Sequence, residues 1–380
     1  MEDVNEINDA VCEVPRPQTT ILSTAEYEIV NGVLVYYRGE ATKVVIPECV
    51  SGIGDRAFEG KGFIKEIYLN KVKFIGEEAF KSCSGLEKIY YGEYPKVIGA
   101  NAFSLYGKYV TLILKDIEAF CNSTFANEYS NPLSVSKALQ VGGVNVRNLV
   151  IPKTVKRIPS YAFTKCDQIT GVGFESDTEN GSGVTEIGKK AFFGCKEISR
   201  ISMPLTLKRI EASAFEDCLK IDGVSMPDGV TVLEDRAFEG CRNISFVMLG
   251  YNLEKIGKRC FYGCSNLKAV SVPDNVKEIE DEAFSGCNIQ VLTLGRGLKR
   301  IGDKAFESAS GAVTVPESVE RVGAYAFAYV QSVTLEHKRW KAAGNHVPVE
   351  IANDPKLLAR CLTSGKIGKR YNKTGLDKVK

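Results

Sequence analysis

The feature that most constrains this chain is a returning Ala-Phe pair. In register it stands at Phe58, Phe80, Phe103, Phe163, Phe192, Phe215, Phe238, Phe284, Phe306 and Phe327, with Cys260 taking the alanine's place before Phe261. The steps between successive phenylalanines are 22, 23, 60, 29, 23, 23, 23, 23, 22 and 21 residues. A fixed period in this range marks a solenoid of short stacked units. One such unit is too small to bury its own apolar face, so only stacking on its neighbours removes that face from water.

A single unit can be read from "VTEIGKKAFFGCKEISRISMP" onward to Cys218. Ile198, Ile201 and Met203 form a short strand, in which side chains alternate between the core and an open face. Pro204 ends the strand, because proline cannot donate to a ladder. Leu207 and Ile210 turn back inward, and Ala214-Phe215 closes a short helical or tight-turn segment before Cys218 starts the return. The next units repeat Val230, Leu233, Phe238, Cys241, Ile244, Val247 and then Leu253, Ile256, Phe261, Cys264, Leu267, Val270. The expected fold is an α/β repeat solenoid, curved, with a parallel sheet of short strands and about eleven or twelve coils.

The pattern I-G-x-x-A-F-x-x-C-x-x-L-x-x-V-x-[IV]-P resembles the BspA-like class of leucine-rich repeats over residues 26–335. "YEIVNGVLVYYRGEATKVVIP" resembles the unit that often opens such arrays, and "SNPLSVSKALQVGGVNVRNLVIP" a divergent unit seen inside them. Residues 1–25 then read as an N-terminal segment or cap, 104–148 as a bulkier, helix-containing divergent unit, and 336–380 as a C-terminal cap with a basic tail. Trp340 and Leu357-Leu358 are the natural cap residues. The resemblance implies a surface or secreted protein that binds other molecules through its repeat face.

Three positions after the phenylalanine stands Cys83, Cys166, Cys195, Cys218, Cys241, Cys264 or Cys287. The last two units hold Ala309 and Val330 there, and Lys61 and Tyr106 occupy the column toward the N-terminus. Alanine and valine cannot replace a ligand or a nucleophile, but they can replace a small buried hydrophobe, which is how free cysteine behaves. Core is therefore the favoured reading. A disulfide ladder is the runner-up, disfavoured because in-register side chains point the same way. Zinc ranks below both, since the chain has no C-x-x-C pair and its histidines, His337 and His346, lie outside the array. The 12 cysteines, with no basic n-region or apolar core in the acidic opening stretch, read as reduced thiols and a cytoplasmic chain.

Other chemistry is sparse. No P-loop, G-x-S-x-G, H-E-x-x-H or G-x-G-x-x-G motif occurs, and 2 histidines leave few bases that titrate near neutrality. No catalytic residue, cofactor or metal is expected. A net charge of +2 argues against nucleic acid bound by bulk electrostatics, and no apolar run reaches membrane-span length. "FESDTENGSG", with Asp177 and Glu179, fails the EF-hand spacing and reads as a solvated loop. The charged pairs before Ala-Phe, such as Asp55-Arg56, Asp235-Arg236, Lys258-Arg259 and Asp281-Glu282, read as solubility plus weak ion pairs between coils.

The open positions flank the second apolar residue of each strand. One column becomes a small hydroxyl stripe: Ser202, Ser225, Ser271, Thr293, Thr314 and Thr334. Against it, "NISFVMLG" places Phe246 and Met248 side by side. The expectation is a non-catalytic, monomeric binding module. Phe246 and Met248 would anchor a protein or glycan ligand, with Arg200, Ser202, Ser225 and Ser271 at the rim and Tyr68 and Tyr90 as a second contact. The alternative is an accessory domain of an enzyme or a glycan-binding protein; a cluster of perturbed acids on the open face would favour the enzyme reading.

Overall fold

The computed structural model describes residues 21–23, 25–92, 96–105, 110–134, 138–175, 183–336 and 346–347. Tyr106, Asp177, Glu179, His337, Trp340, Leu357, Leu358 and the basic tail lie outside the described residues. Each coil has three sides. On the open face runs a strand such as Phe246–Met248; on the lateral side a two-residue strand such as Lys255–Ile256; on the third side the Ala-Phe segment. Twelve lateral strands follow one another from Gly52–Ile53 to Arg321–Val322, and all pair in parallel where they pair. The N-terminal end is closed differently: Ile21–Ser23, Tyr27–Val30 and Val33–Tyr37 form an antiparallel meander, whose last strand starts the parallel lateral sheet by pairing with Gly52–Ile53.

The Ala-Phe segment is two consecutive tight turns. Left-handed residues stand two before and two after the phenylalanine, as at Arg236 (φ 59) and Gly240 (φ 75) around Phe238. Glycine takes the second position at Gly60, Gly194, Gly240, Gly263 and Gly286, because it accepts this backbone at no steric cost. The turns are laddered as a sheet would be: the Phe215 N–H donates to Ala237 O at 2.8 Å, and the Phe238 N–H to Cys260 O at 2.8 Å. Helix among the described residues is confined to Glu118–Cys121 and two short 3-10 turns, all inside the divergent unit.

The phenylalanine column is a continuous spine. From Phe163 to Phe327 each ring is stacked on the next at 5.1 to 5.9 Å between centroids. The column begins earlier than Ala-Phe counting indicates, since Tyr37 packs on Phe58 at 5.1 Å. In the divergent unit Phe120 takes over, packing on Tyr91 at 5.3 Å and on Phe163 at 5.7 Å.

The cysteine column is buried and, like every described cysteine, unbridged. It does more than fill space. Cys83, Cys195, Cys218, Cys241, Cys264 and Cys287 each donate their thiol to the carbonyl of the phenylalanine in the preceding regular coil, at 2.8 to 3.3 Å. Burial pushes the Cys83 and Cys166 thiols up to about 12, beyond the reach of nucleophilic chemistry at neutral pH.

The charged pairs also carry more structure than solubility requires. Asp55, Asp235, Asp281 and Asp303 accept the backbone N–H of Glu77, Lys258, Asp303 and Ala324 in the following coil, at 2.7 to 2.9 Å. Arg259 meets Glu282 at 2.9 Å, the pairing of basic and acidic neighbours expected from the sequence.

Candidate functional site

Strict register puts the open-face columns where the alternation placed them. Gly223 pairs with Phe246 and Ser225 with Met248; Ala269 pairs with Val291 and Ser271 with Thr293. Along these strands the central residue is buried and its two neighbours face outward, as in Phe246–Met248 and Ala269–Ser271. Phe246 is 50% exposed and Met248 59% exposed, against 8% for Val247 between them. Two large apolar side chains thus stand in water on a face whose neighbouring positions are small.

The ladder is interrupted on both sides of this pair. Gly223–Ser225 and Phe246–Met248 form a two-stranded sheet, which pairs neither with Arg200–Ile201 before it nor with Ala269–Ser271 after it. At the first interruption an open groove of about 670 Å³ is lined by Arg200, Ser202, Met203, Leu205, Asp222, Gly223, Ser225 and Phe246. Arg200, Ser202, Ser225 and Phe246 are therefore brought to one site. Met248 and Ser271 are exposed on the adjoining strands.

Sequence reading missed the role of Gly223. The Phe246 ring lies across it, so closely that a Cβ on Gly223 would sit 2.0 Å from Phe246 Cε1. Phe246 thus packs on the preceding coil, and only glycine at position 223 lets the ring lie there. The signal was present as a glycine directly upstream of an aromatic in the same column.

Tyr68 and Tyr90 are placed elsewhere. They lie on the N-terminal six-stranded open sheet, which ends at the hairpin strand Val144–Asn145. Seven strand steps separate Tyr90 from Met248, on the order of 30 Å at ~4.8 Å per step. Their rings stack face to face at 3.8 Å, and Lys43 Nζ lies 4.8 Å from the Tyr68 centroid. The Tyr68 hydroxyl donates to Glu66 Oε2 at 3.3 Å, and Lys88 pairs with Glu66 at 2.9 Å. The two ring faces turned toward each other and the outer face of Tyr68 are occupied.

The acids with shifted protonation are dispersed. On the open face, the hydrogen bond from Lys88 holds the Glu66 carboxyl below its usual range. The Glu186 carboxyl is pushed up by its hydrogen bond with Glu211, but both lie on the lateral side, beside Arg157. Among the described residues no group of three or more His, Cys, Asp or Glu could hold a metal ion, and no helix is long and apolar enough to cross a membrane.

A family model described as "BspA type leucine rich repeat region (6 copies)" matches residues 33–141, 136–249, 185–313 and 231–339. Similar solved structures include a leucine-rich repeat protein from Eubacterium ventriosum, 18% identical, with 81% of this chain and 93% of that chain covered and a TM-score of 0.48. A leucine-rich repeat protein from Bacteroides ovatus is 21% identical, with 84% and 88% covered and a TM-score of 0.43. A leucine-rich cell surface protein from Faecalibacterium prausnitzii is 18% identical, with 87% and 98% covered and a TM-score of 0.40. No curated protein matches the chain significantly.

Proposed function

This chain belongs to the BspA-type leucine-rich repeat family, and on that premise we propose that it is a binding module whose open face docks a protein partner. The observation that carries this reading is the exposure of Phe246 and Met248 side by side, at 50% and 59%, beside a groove on an otherwise small-residue sheet. A central apolar anchor ringed by weaker polar contacts is the usual energetic layout of an interface. Arg200, Ser202, Ser225 and Ser271 form the rim in this reading, and Leu205, 89% exposed, adds apolar area at the groove's edge. Tyr68 and Tyr90 form a second, separate contact through their ring edges. Adhesion at a cell surface is the finer role that family membership suggests.

A protein partner is preferred to a glycan because the central anchor is the apolar pair Phe246 and Met248, while three of the four ring faces of Tyr68 and Tyr90 are already covered by each other and by Lys43. The test is a pull-down with the full chain, followed by affinity measurement on the captured partner with the Phe246→Ser/Met248→Ser variant. Binding is expected to weaken by more than ~2 kcal/mol with the thermal midpoint unchanged. Full-strength binding by the variant would place the partner on another surface.

A further inference from the structure

Almost everywhere the chain alternates between the open face and the lateral side. Between the lateral strands Thr124–Phe125 and Arg157–Ile158 it crosses the open face twice, at Ala138–Val141 and Asn148–Ile151, with no lateral strand between. The lateral sheet accordingly stops at Thr124–Phe125 and a new one starts at Arg157–Ile158.

The backbone bonds show what the interruption leaves open. Elsewhere two N–H groups close each lateral step, one just before or at the start of the strand and one just after it. Thr124 N donates to Lys96 O at 2.7 Å and Ala126 N to Ile98 O at 3.0 Å; Thr185 N donates to Lys156 O at 2.8 Å and Gly188 N to Ile158 O at 2.9 Å. At the interruption the corresponding acceptors are Ser123 O and Phe125 O. No described residue donates to either. The second donor would come from position 159, and that position is proline, which has no N–H. After every other lateral strand of the coils the position holds Gly, Ala or Glu. Proline blunts the Arg157–Ile158 edge and removes the donor for Phe125 O, and Ser123 O also goes without a donor among the described residues.

A groove of about 330 Å³ runs between the two edges, with Asn122, Phe125, Thr154, Lys156, Arg157 and Pro159 among its lining residues. That lining carries two cations and no acid. Arg157 is already matched by Glu186 at 3.6 Å and Glu211 at 3.0 Å. Lys156 is exposed and has no ion pair among the described residues. The groove therefore offers unanswered backbone acceptors along one wall and an unmatched positive charge at the other.

We infer that this slot takes an extended acidic peptide from a partner as an added lateral strand. Alternate peptide amides donate to the carbonyls of Ser123 and Phe125, and a carboxylate meets Lys156. Strand addition of this kind draws its affinity from main-chain bonds and its selectivity from alternate side chains. The slot lies on the lateral side, apart from Phe246 and Met248, so it is a second binding surface and does not depend on the first.

The test pans a phage-displayed library of random ten-residue peptides against the full chain. Enriched sequences are then synthesised and their binding measured by fluorescence anisotropy. An acidic residue is expected at one fixed position of the enriched sequences, the one that meets Lys156. N-methylation of one alternate set of amides is expected to weaken binding at least tenfold, while methylation of the other set leaves it intact. Lys156→Glu should weaken binding at least fivefold with an unchanged thermal midpoint, and Phe246→Ser/Met248→Ser should leave it unchanged. Absence of enrichment, equal binding by both methylated sets, or indifference to Lys156→Glu overturns the inference. Loss of binding in the open-face variant assigns the peptide to the other surface, and a dimer that Lys156→Glu dissociates assigns the slot to a second copy; either result also overturns it.

Discussion

Phe238→Ala tests the spine at its best-supported point. Phe238 is fully buried, with Phe215 stacked at 5.2 Å on one side and Phe261 at 5.4 Å on the other. Truncation removes the ring from two stacks and leaves a cavity that neither neighbour can fill without leaving its own slot. A buried Phe→Ala change costs ~3–5 kcal/mol, and the two-sided packing points to the upper part of that range. At about 2 °C per kcal/mol for a chain of this size, the midpoint followed by circular dichroism should fall by roughly 8–10 °C. A broadened or split transition is also expected, because each coil contacts only its neighbours and an array need not melt as one unit. Two controls share the chemistry. Phe327→Ala should cost less, since its described ring neighbour, Phe306, lies at 5.9 Å. Phe246→Ala, on a residue 50% exposed, should shift the midpoint by no more than about 2 °C. A Phe238→Ala shift as small as that of Phe246→Ala would refute the spine.

Alkylation in denaturant without reductant should find all 12 cysteines free, and native labelling among the described cysteines should be confined to exposed Cys49. The folded thiols keep their protons while unfolded ones ionise, so their contribution to stability is present below about pH 9 and lost above it; stability that rises across pH 9–11 would contradict this. Burial pushes the Lys96 ammonium down to about 8, so its charge opposes folding fully below pH 8 and not at all above about pH 10.4. The midpoint of Lys96→Met minus that of wild type should therefore decrease as pH rises from 8 to 10, whereas a constant difference would exclude a desolvated ammonium. Finally, Gly223→Ala must displace the Phe246 ring, so partner binding should drop about as far as in Phe246→Ser; binding left untouched would remove Phe246 from the interface.

The regular coils were legible because each rule acts many times on the same column. Ala309 and Val330 in the cysteine column sufficed to separate core from chemistry, and the exposure of Phe246 and Met248 follows from strand alternation alone. What the column could not reveal was direction. Whether a buried thiol donates to a carbonyl depends on the neighbouring coil's backbone, and whether a ring lies over a glycine depends on its rotamer. The Asp of Asp55-Arg56 or Asp235-Arg236 looked like a surface charge for the same reason: its backbone partner sits 22 or 23 residues away, in the next coil.

The divergent unit resisted the sequence most, and the cause is physical. Its contacts occur once. Asn131 donates to the carbonyls of Tyr161 and Ala162 at 2.5 and 2.6 Å, and Gln168 donates to the carbonyls of Leu139 and Val146 while accepting from Leu139 N. These two amides satisfy backbone that a regular coil would satisfy by stacking, and no repeat reports them. Pro159 is the exception that could have been read directly. In "RIPSYAF" it replaces the glycine of "EIGKKAF", and in a parallel ladder the loss of that one N–H announces an edge. A repeat array binds through what its neighbours do not already satisfy. The positions that depart from a column, a proline for a glycine at 159 and an aromatic over a glycine at 246, are thus where unsatisfied groups collect, and both departures coincide with a groove.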